Sequence, residues 1–192
     1  FFISIFVFIF SIGPEKETLS LLSVGIVWSL ILLSLTLSLR KFYQDDFDNG
    51  NLLILHLNGF SFELICILKT ISHFIYVQIP FLISIPIASI LLNISFDKIY
   101  YLLVTFLFGS LILSNLGSIS SSMNLLNQRN YLLGSIIVMI FSIPVIIFSV
   151  AVINQEENFH YLINILLGIL LIVFAINPWA SGACLKLALQ NN

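Results

Sequence analysis

Apolar residues run along the chain in six long stretches separated by short polar breaks, at about residues 1–12, 19–39, 64–92, 100–120, 131–153 and 161–187. A helix needs about 20 apolar residues to cross a bilayer, and every stretch but the first is long enough. Phe1 to Ile12 is therefore expected to be the later part of a truncated first span. Gly13-Pro14 breaks it, and Glu15, Lys16 and Glu17 form a polar loop. Pro80 and Pro86 fall inside the third stretch, Pro144 inside the fifth and Pro178 inside the sixth. Prolines kink helices and are tolerated in membranes where neighbours satisfy the freed carbonyls. Asn93 to Lys98, Met123 to Asn130 and the acidic Asn154 to His160 read as loops. The pattern predicts an all-α polytopic membrane protein, a single transmembrane domain of six helices over residues 1–192.

The longest polar interruption, residues 40–63, differs from the others. Arg40, Lys41, Asp45, Asp46 and Asp48 are five of the sixteen charges in the chain. At about 2.5 to 3.5 kcal/mol each, burying them at mid-bilayer would cost roughly 15 kcal/mol, so the segment must lie outside the hydrocarbon. Asp48-Asn49-Gly50 signals a turn, Leu52 to Leu57 is apolar apart from His56, Asn58-Gly59 is a stop, and Ser61 is placed to cap the next helix. A short helix at the membrane surface is expected.

Composition agrees: 59% of residues are hydrophobic and 8% charged, and the mean hydropathy is +1.12, whereas soluble domains are about a quarter charged. A net charge of -2 over several short loops offers nothing to nucleic acid. Arg40, Lys41, Lys69, Arg129 and Lys186 fall on one side of the six spans and only Lys16 and Lys98 on the other, so the 40–63 side is expected to be cytoplasmic, with both termini. Cys66 and Cys184 lie in or beside apolar segments and read as buried small hydrophobes.

Chemistry-bearing motifs are few. No glycine is followed by Lys, so the phosphate-cradling loop of ATPases is absent, and there is no His or Cys pair at metal spacing. No catalytic residue and no metal site are expected; nucleotide energy, if used, must come from another protein. His73, one turn from Lys69 and Tyr76, reads as an interfacial or interhelical hydrogen-bonding group. His160 is a weaker outer-side contact for haem or a partner, and His56 belongs to the surface helix. In the second half of the fourth span Gly109, Ser110, Ser114, Gly117, Ser118 and Ser122 supply small residues at helical spacing. Such a face lets helices approach closely, and the sharper alternative is the polar wall of a substrate path. The Asp45, Asp46 and Asp48 cluster lacks the spacing of a calcium loop and reads as a solvated turn that docks a partner.

Ser11-Ile12-Gly13-Pro14-Glu15, Gly25-Ile26-Val27-Trp28, and Phe42 through Asp45-Asp46 to Asp48, Asn49 and Gly50, on a six-span frame, resemble the CcmB family. These are the haem exporter protein B permeases of cytochrome c maturation, similar to membrane subunits of type-2 ABC exporters. The resemblance implies that the short helix between spans two and three is a cytoplasmic coupling helix seated in a cleft of a separate ATPase. It implies partnership with the ATP-binding subunit CcmA, with CcmC and CcmD and with the haem chaperone CcmE. ATP would be bound by CcmA, haem handled by the complex, and no cofactor held by this chain. It leaves room for a homodimer of permease subunits, and it places the chain in a bacterial inner membrane. The family tends to carry an acidic residue in the coupling helix; Asn51 to Leu57 has none.

The resulting expectation is a non-catalytic subunit coupling ATP hydrolysis to release of haem-loaded CcmE, with Arg40, Asp45, Asp46, Asp48, Gly50, Leu53 and His56 at the ATPase contact. The alternative is a true exporter of haem or another apolar substrate, with His73, Ser110, Ser114, Asn115 and Ser118 as interhelical or path-lining groups. An ATPase-independent scaffold is a weaker third.

Overall fold

The computed structural model describes residues 1–13, 16–126, 132–154 and 158–190. Among these the chain is helical apart from short turns, with no strand. Helix α1 covers Phe2–Ile12, α2 Lys16–Asp48, α3 Asn51–Leu57 and α4 Phe62–His73. A π-helical turn, Phe74–Gln78, joins α4 to α5, Ile79–Leu91; then follow α6 Phe96–Leu126, α7 Leu132–Asn154 and α8 Phe159–Gln190. Five helical segments are long and apolar enough to cross a membrane, and α1 is a shorter apolar helix.

Two boundaries differ from expectation. The second span does not end near Leu39: α2 stays helical through the charged residues to Asp48. The reason is an inner stripe at helical spacing, in which Leu39, Phe42, Tyr43 and Phe47 are buried while Asp45 and Asp48 on the same turns are exposed. Likewise α6 begins at Phe96 and reaches Leu126, taking in parts of both flanking loops. Arg129, Glu156 and Glu157, on which parts of the loop and orientation readings rest, lie outside the described residues, as do Pro14 and Glu15 of the resemblance.

The third span stays helical across Pro80 by widening. Proline has no N–H and its ring crowds the carbonyl four residues back, here that of Tyr76, which lies inside the π turn. A π turn opens the local ladder and gives the ring room. Helix α4, the π turn and α5 thus form one segment, Phe62–Leu91, that is apolar over a spanning length.

Helix α6 is the centre of the bundle, packing against α2, α4, α5, α7 and α8. Its small residues make this possible. Gly109 faces the ring of fully buried Trp28 on α2, and a Cβ at that glycine would overlap the indole. The apolar interior has two parts: a large cluster running through the spans, and a smaller one at the α3 end built from Phe42, Tyr43, Phe47, Leu52, Ile65 and Leu185 with their neighbours.

Candidate functional site

The α2–α3–α4 elbow holds the first group of candidate residues. Helix α2 ends in a turn that requires Gly50 at φ 74, a left-handed conformation that costs an L side chain about 1 to 2 kcal/mol. The chain then reverses into α3, whose Leu52 is fully buried under α2 while Leu53, Ile54 and Leu57 are 46%, 54% and 76% exposed. Gly59 at φ 92 makes the second turn, and Ser61 caps α4 by accepting from the Leu64 N–H at 3.3 Å.

Polar bonds fasten this elbow. Asp46 is ion-paired to Lys69 of α4 and accepts from Asn51 Nδ2 at 3.2 Å, so one carboxylate ties α2 to both α3 and α4. Asp48 accepts from Gln44 Nε2 at 2.9 Å along α2, and Asp45 is exposed. His56 stacks on Phe62 with ring centroids 4.1 Å apart. Its Nδ1 lies 3.1 Å from the Phe60 carbonyl; a carbonyl only accepts, so Nδ1 carries the proton. The Arg40 side chain lies outside the described residues. The structure therefore gathers Asp46, Asp48, Gly50, Leu53 and His56 around one elbow, with Leu53 and Asp45 facing outward.

The second group meets inside the bundle. His73 is buried, stacks on Phe42 at 4.5 Å, and sits between Ser38 of α2 and Ser114 of α6, with Nε2 and Nδ1 at 3.2 and 3.3 Å from their hydroxyls. Ser38 gives its own proton to the Leu35 carbonyl at 2.8 Å. It must therefore accept from His73 Nε2–H, and Ser114 donates to Nδ1. One imidazole joins three helices.

A longer chain of bonds lies beside it, and its direction can be assigned atom by atom. Ser181 of α8 donates to Asn177 Oδ1 at 2.8 Å. With that proton used, Ser181 accepts from Ser118 at 3.2 Å, and Ser118 in turn accepts from the Tyr43 hydroxyl at 2.7 Å. Beyond the amide, Asn177 Nδ2 donates to Thr70 Oγ1 at 3.0 Å and Asn115 Oδ1 at 2.9 Å. Thr70 ends on the Cys66 carbonyl and the Asn115 amide on the Leu111 carbonyl, both at 2.8 Å. The chain links α2, α6, α8 and α4, and its six side chains are at most 6% exposed. Ser114, Asn115 and Ser118 are thus engaged between helices, whereas Ser110 bonds within α6, to the Leu107 carbonyl.

Tyr43, Thr70, Asn177 and Ser181 were not expected in this role. Asn177 and Ser181 are isolated polar residues in an apolar span, and that isolation was the available signal. His160 is exposed and touches the ring of Phe159. Among the described residues no group of three or more His, Cys, Asp or Glu could hold a metal ion.

Long apolar helices around a buried polar junction, with a short exposed helix at one end, define a polytopic helical membrane protein. The family model described as CcmB protein matches residues 1–188, so the chain belongs to the CcmB family. It is 30% identical over 194 residues to heme exporter protein B of Haemophilus influenzae, covering 100% of this chain and 88% of that protein. Heme exporter protein B of Bradyrhizobium diazoefficiens is 30% identical over 191 residues, covering 97% and 86%. That of Escherichia coli K12 is 35% identical over 83 residues, covering 43% and 38%.

Proposed function

We propose that the chain is the non-catalytic permease subunit of an ABC-type complex for cytochrome c maturation in a bacterial inner membrane. It has six spans, and its α3 side and both termini are cytoplasmic. An ATPase of the CcmA kind docks on α3, in a complex with CcmC and CcmD, and ATP hydrolysis is coupled to release of haem-loaded CcmE. The observation that supports this most directly is the elbow. Helix α3 offers an exposed apolar face, Leu53, Ile54 and Leu57, yet is anchored by buried Leu52 and by Asp46, which holds both Asn51 and Lys69. Force on α3 therefore passes into α2 and α4, and from these into the polar chain through Tyr43 and Thr70.

Asp45 is the cleanest test because it is exposed at the end of α2. Asp45→Lys is expected to reduce co-purification of the ATPase and the release of haem-loaded chaperone while leaving the permease folded. Unchanged assembly and release would remove this reading.

A second reading, export of haem itself, is favoured by the name of the relatives, heme exporter protein B. In it the α6 face of Ser114, Asn115 and Ser118 would open into a path. Those groups bond to His73, Asn177 and Tyr43, so opening would break a saturated network, and coupling is the better supported of the two. Transport of labelled haem by the purified complex in vesicles separates them.

A further inference from the structure

The lengths of the helices and the bonds between them fix how a bilayer meets this bundle. Helices α2, α6 and α8 have 33, 31 and 32 residues, about 46 to 50 Å at 1.5 Å per residue, against a hydrocarbon core of about 30 Å. A tilt of about 20° takes up only about 2 Å of the excess, so roughly 15 Å of each helix stands outside the hydrocarbon. The excess is not shared between the two ends. At the end away from α3, exposed Lys16 opens α2, Asp97 and Lys98 stand in the first turn of α6, and His160 is the second residue of α8. Exposed Tyr100 and Tyr161 follow at once, the placement expected of aromatic residues at a lipid–water boundary.

Counting from that boundary gives the other one. Trp179 of α8 is 74% exposed and lies about 27 Å beyond Tyr161 along the helix, close to one hydrocarbon thickness. Asn177 bonds to Asn115 and Ser181 to Ser118, so Trp179 is level with residues 115–118 of α6. The Leu39 carbonyl of α2 meets Ser121 at 2.8 Å, about one turn further on. The apolar interior divides at the same level. The larger cluster ends on α2 at Leu39 and on α6 at Leu116, and the smaller one, with Phe42, Phe47, Leu52, Ile65, Leu125 and Leu185, lies beyond.

Helix α2 ends at Asp48, nine residues past Leu39, or about 13 Å. A Cβ on Gly182 of α8 would lie 3.3 Å from the Glu63 backbone nitrogen, which sets the start of α4 about one turn past Trp179. Helix α3 joins these two points, about 10 Å past Trp179, beyond the roughly 5 to 8 Å of headgroup layer on each side of a bilayer. We propose that the lipid–water boundary at the α3 end runs at the level of Trp179, and that the segments beyond it form a helical head outside the bilayer with its own apolar core. The exposed Leu53, Ile54 and Leu57 of α3 therefore stand clear of the membrane surface, open to a protein and not to acyl chains. This placement does not rest on the docking of an ATPase: loss or retention of that partner by Leu53→Glu leaves it unchanged.

The test uses the full chain in vesicles of phosphatidylcholine carrying bromine either near the ester end of the acyl chain or near its middle, with quenching of tryptophan fluorescence as the readout. The signal of Trp179 is the difference between wild type and Trp179→Phe, in which the contribution of Trp28 cancels. Shallow bromines are expected to quench Trp179 about twice as strongly as deep ones. In the Trp179→Phe chain, Leu171→Trp, at a position 59% exposed and about 12 Å further into the bilayer, should show the reverse order. Leu57→Trp, at a position 76% exposed, should be quenched by neither lipid and strongly by acrylamide in the water. All three positions are exposed, and unchanged helical circular dichroism checks that each variant is folded. Quenching of Leu57→Trp by shallow bromines as strong as that of Trp179 would put α3 on the lipid and overturn the proposal. Stronger quenching of Trp179 by deep bromines than by shallow ones would move the boundary towards α3 and overturn it as well.

Discussion

Asn177 of α8 donates to the side-chain oxygen of Asn115 on α6 at 2.9 Å, and both residues are at most 2% exposed. The bond is where a directed chain starting at the Tyr43 hydroxyl divides, one branch ending on the Cys66 carbonyl and the other on the Leu111 carbonyl. Each donor in that chain has one acceptor position to fill, so its members cannot shift independently. Pro178, immediately after Asn177, removes a backbone N–H from α8. The helix therefore combines a missing backbone hydrogen bond and a side-chain anchor at adjacent positions.

Replacing Asn177 tests that anchor. Interhelical hydrogen bonds in membranes are each worth about 0.6 kcal/mol on average and up to about 1.7, and Asn177 makes two, to Thr70 and Asn115, besides the bond it accepts from Ser181 within α8. Asn177→Leu is expected to destabilise the bundle by about 2 kcal/mol, because Ser181 and Asn115 also lose their partner. Ser118→Ala should cost about 1 kcal/mol and Ser110→Ala, whose bond stays within α6, still less. Unfolding in graded denaturing detergent ranks the three, and a Ser110 effect as large as that of Asn177 would refute the network as the anchor.

The ion pair at the elbow predicts a charge swap. Asp46→Lys sets a second cation against Lys69 and frees Asn51, so α3 should loosen from α4; Lys69→Asp sets two carboxylates together. The double variant, Asp46→Lys with Lys69→Asp, should recover most of the loss, with a coupling energy of about 1 kcal/mol for a half-exposed pair. Limited proteolysis between residues 48 and 61 reads the loosening directly. Additive damage in the double variant would show that the pair carries no weight.

The five long apolar helices and α3 could be read from sequence because their causes are local: the length a bilayer demands, the Asp48-Asn49-Gly50 turn, and a serine at position 61 placed to cap α4. The continuation of α2 through five charges was hidden by those charges, although Leu39, Phe42, Tyr43 and Phe47 already stood at helical spacing. Part of the polar junction, Asn115 and Ser118, was visible on the small-residue face of α6. The rest, Tyr43, Thr70, Asn177 and Ser181, consists of scattered polar residues on three other helices. Which way each faces depends on the rotation of helices brought together from distant parts of the chain, and no local pattern encodes that.

Gly109 and Trp28 predict a size limit at the centre of the bundle. A Cβ at position 109 would overlap the indole of a side chain that is itself fully buried, so Gly109→Ala forces α2 and α6 apart or turns the ring. Overpacking of this kind costs about 1 to 3 kcal/mol. The change should be visible as a shift in the fluorescence of Trp28, and Trp28→Phe in the same chain should relieve part of the cost. Gly168, which has open space around it, is the control: Gly168→Ala is expected to change stability little or to raise it slightly, since alanine favours helix by about 1 kcal/mol.

The docking proposed for α3 can be tested apart from folding at two adjacent residues. Leu52 is fully buried and Leu53 is 46% exposed, so the same chemistry at the two positions should fail in different assays. Leu52→Ala leaves a cavity under α2 and is expected to cost about 2 to 5 kcal/mol of stability. Leu53→Glu adds a charge to an exposed apolar face and should leave thermal unfolding within about 0.5 kcal/mol of wild type. If α3 seats in an ATPase, Leu53→Glu should nevertheless abolish co-purification of that subunit, and Ile54→Glu should do the same. Gly50→Ala offers an intermediate case, straining the left-handed turn that aims α3 by about 1 to 2 kcal/mol, and should weaken assembly in proportion to the fraction of molecules whose elbow has opened. Full ATPase binding by Leu53→Glu and Ile54→Glu together would mean that the exposed face of α3 is not the docking surface.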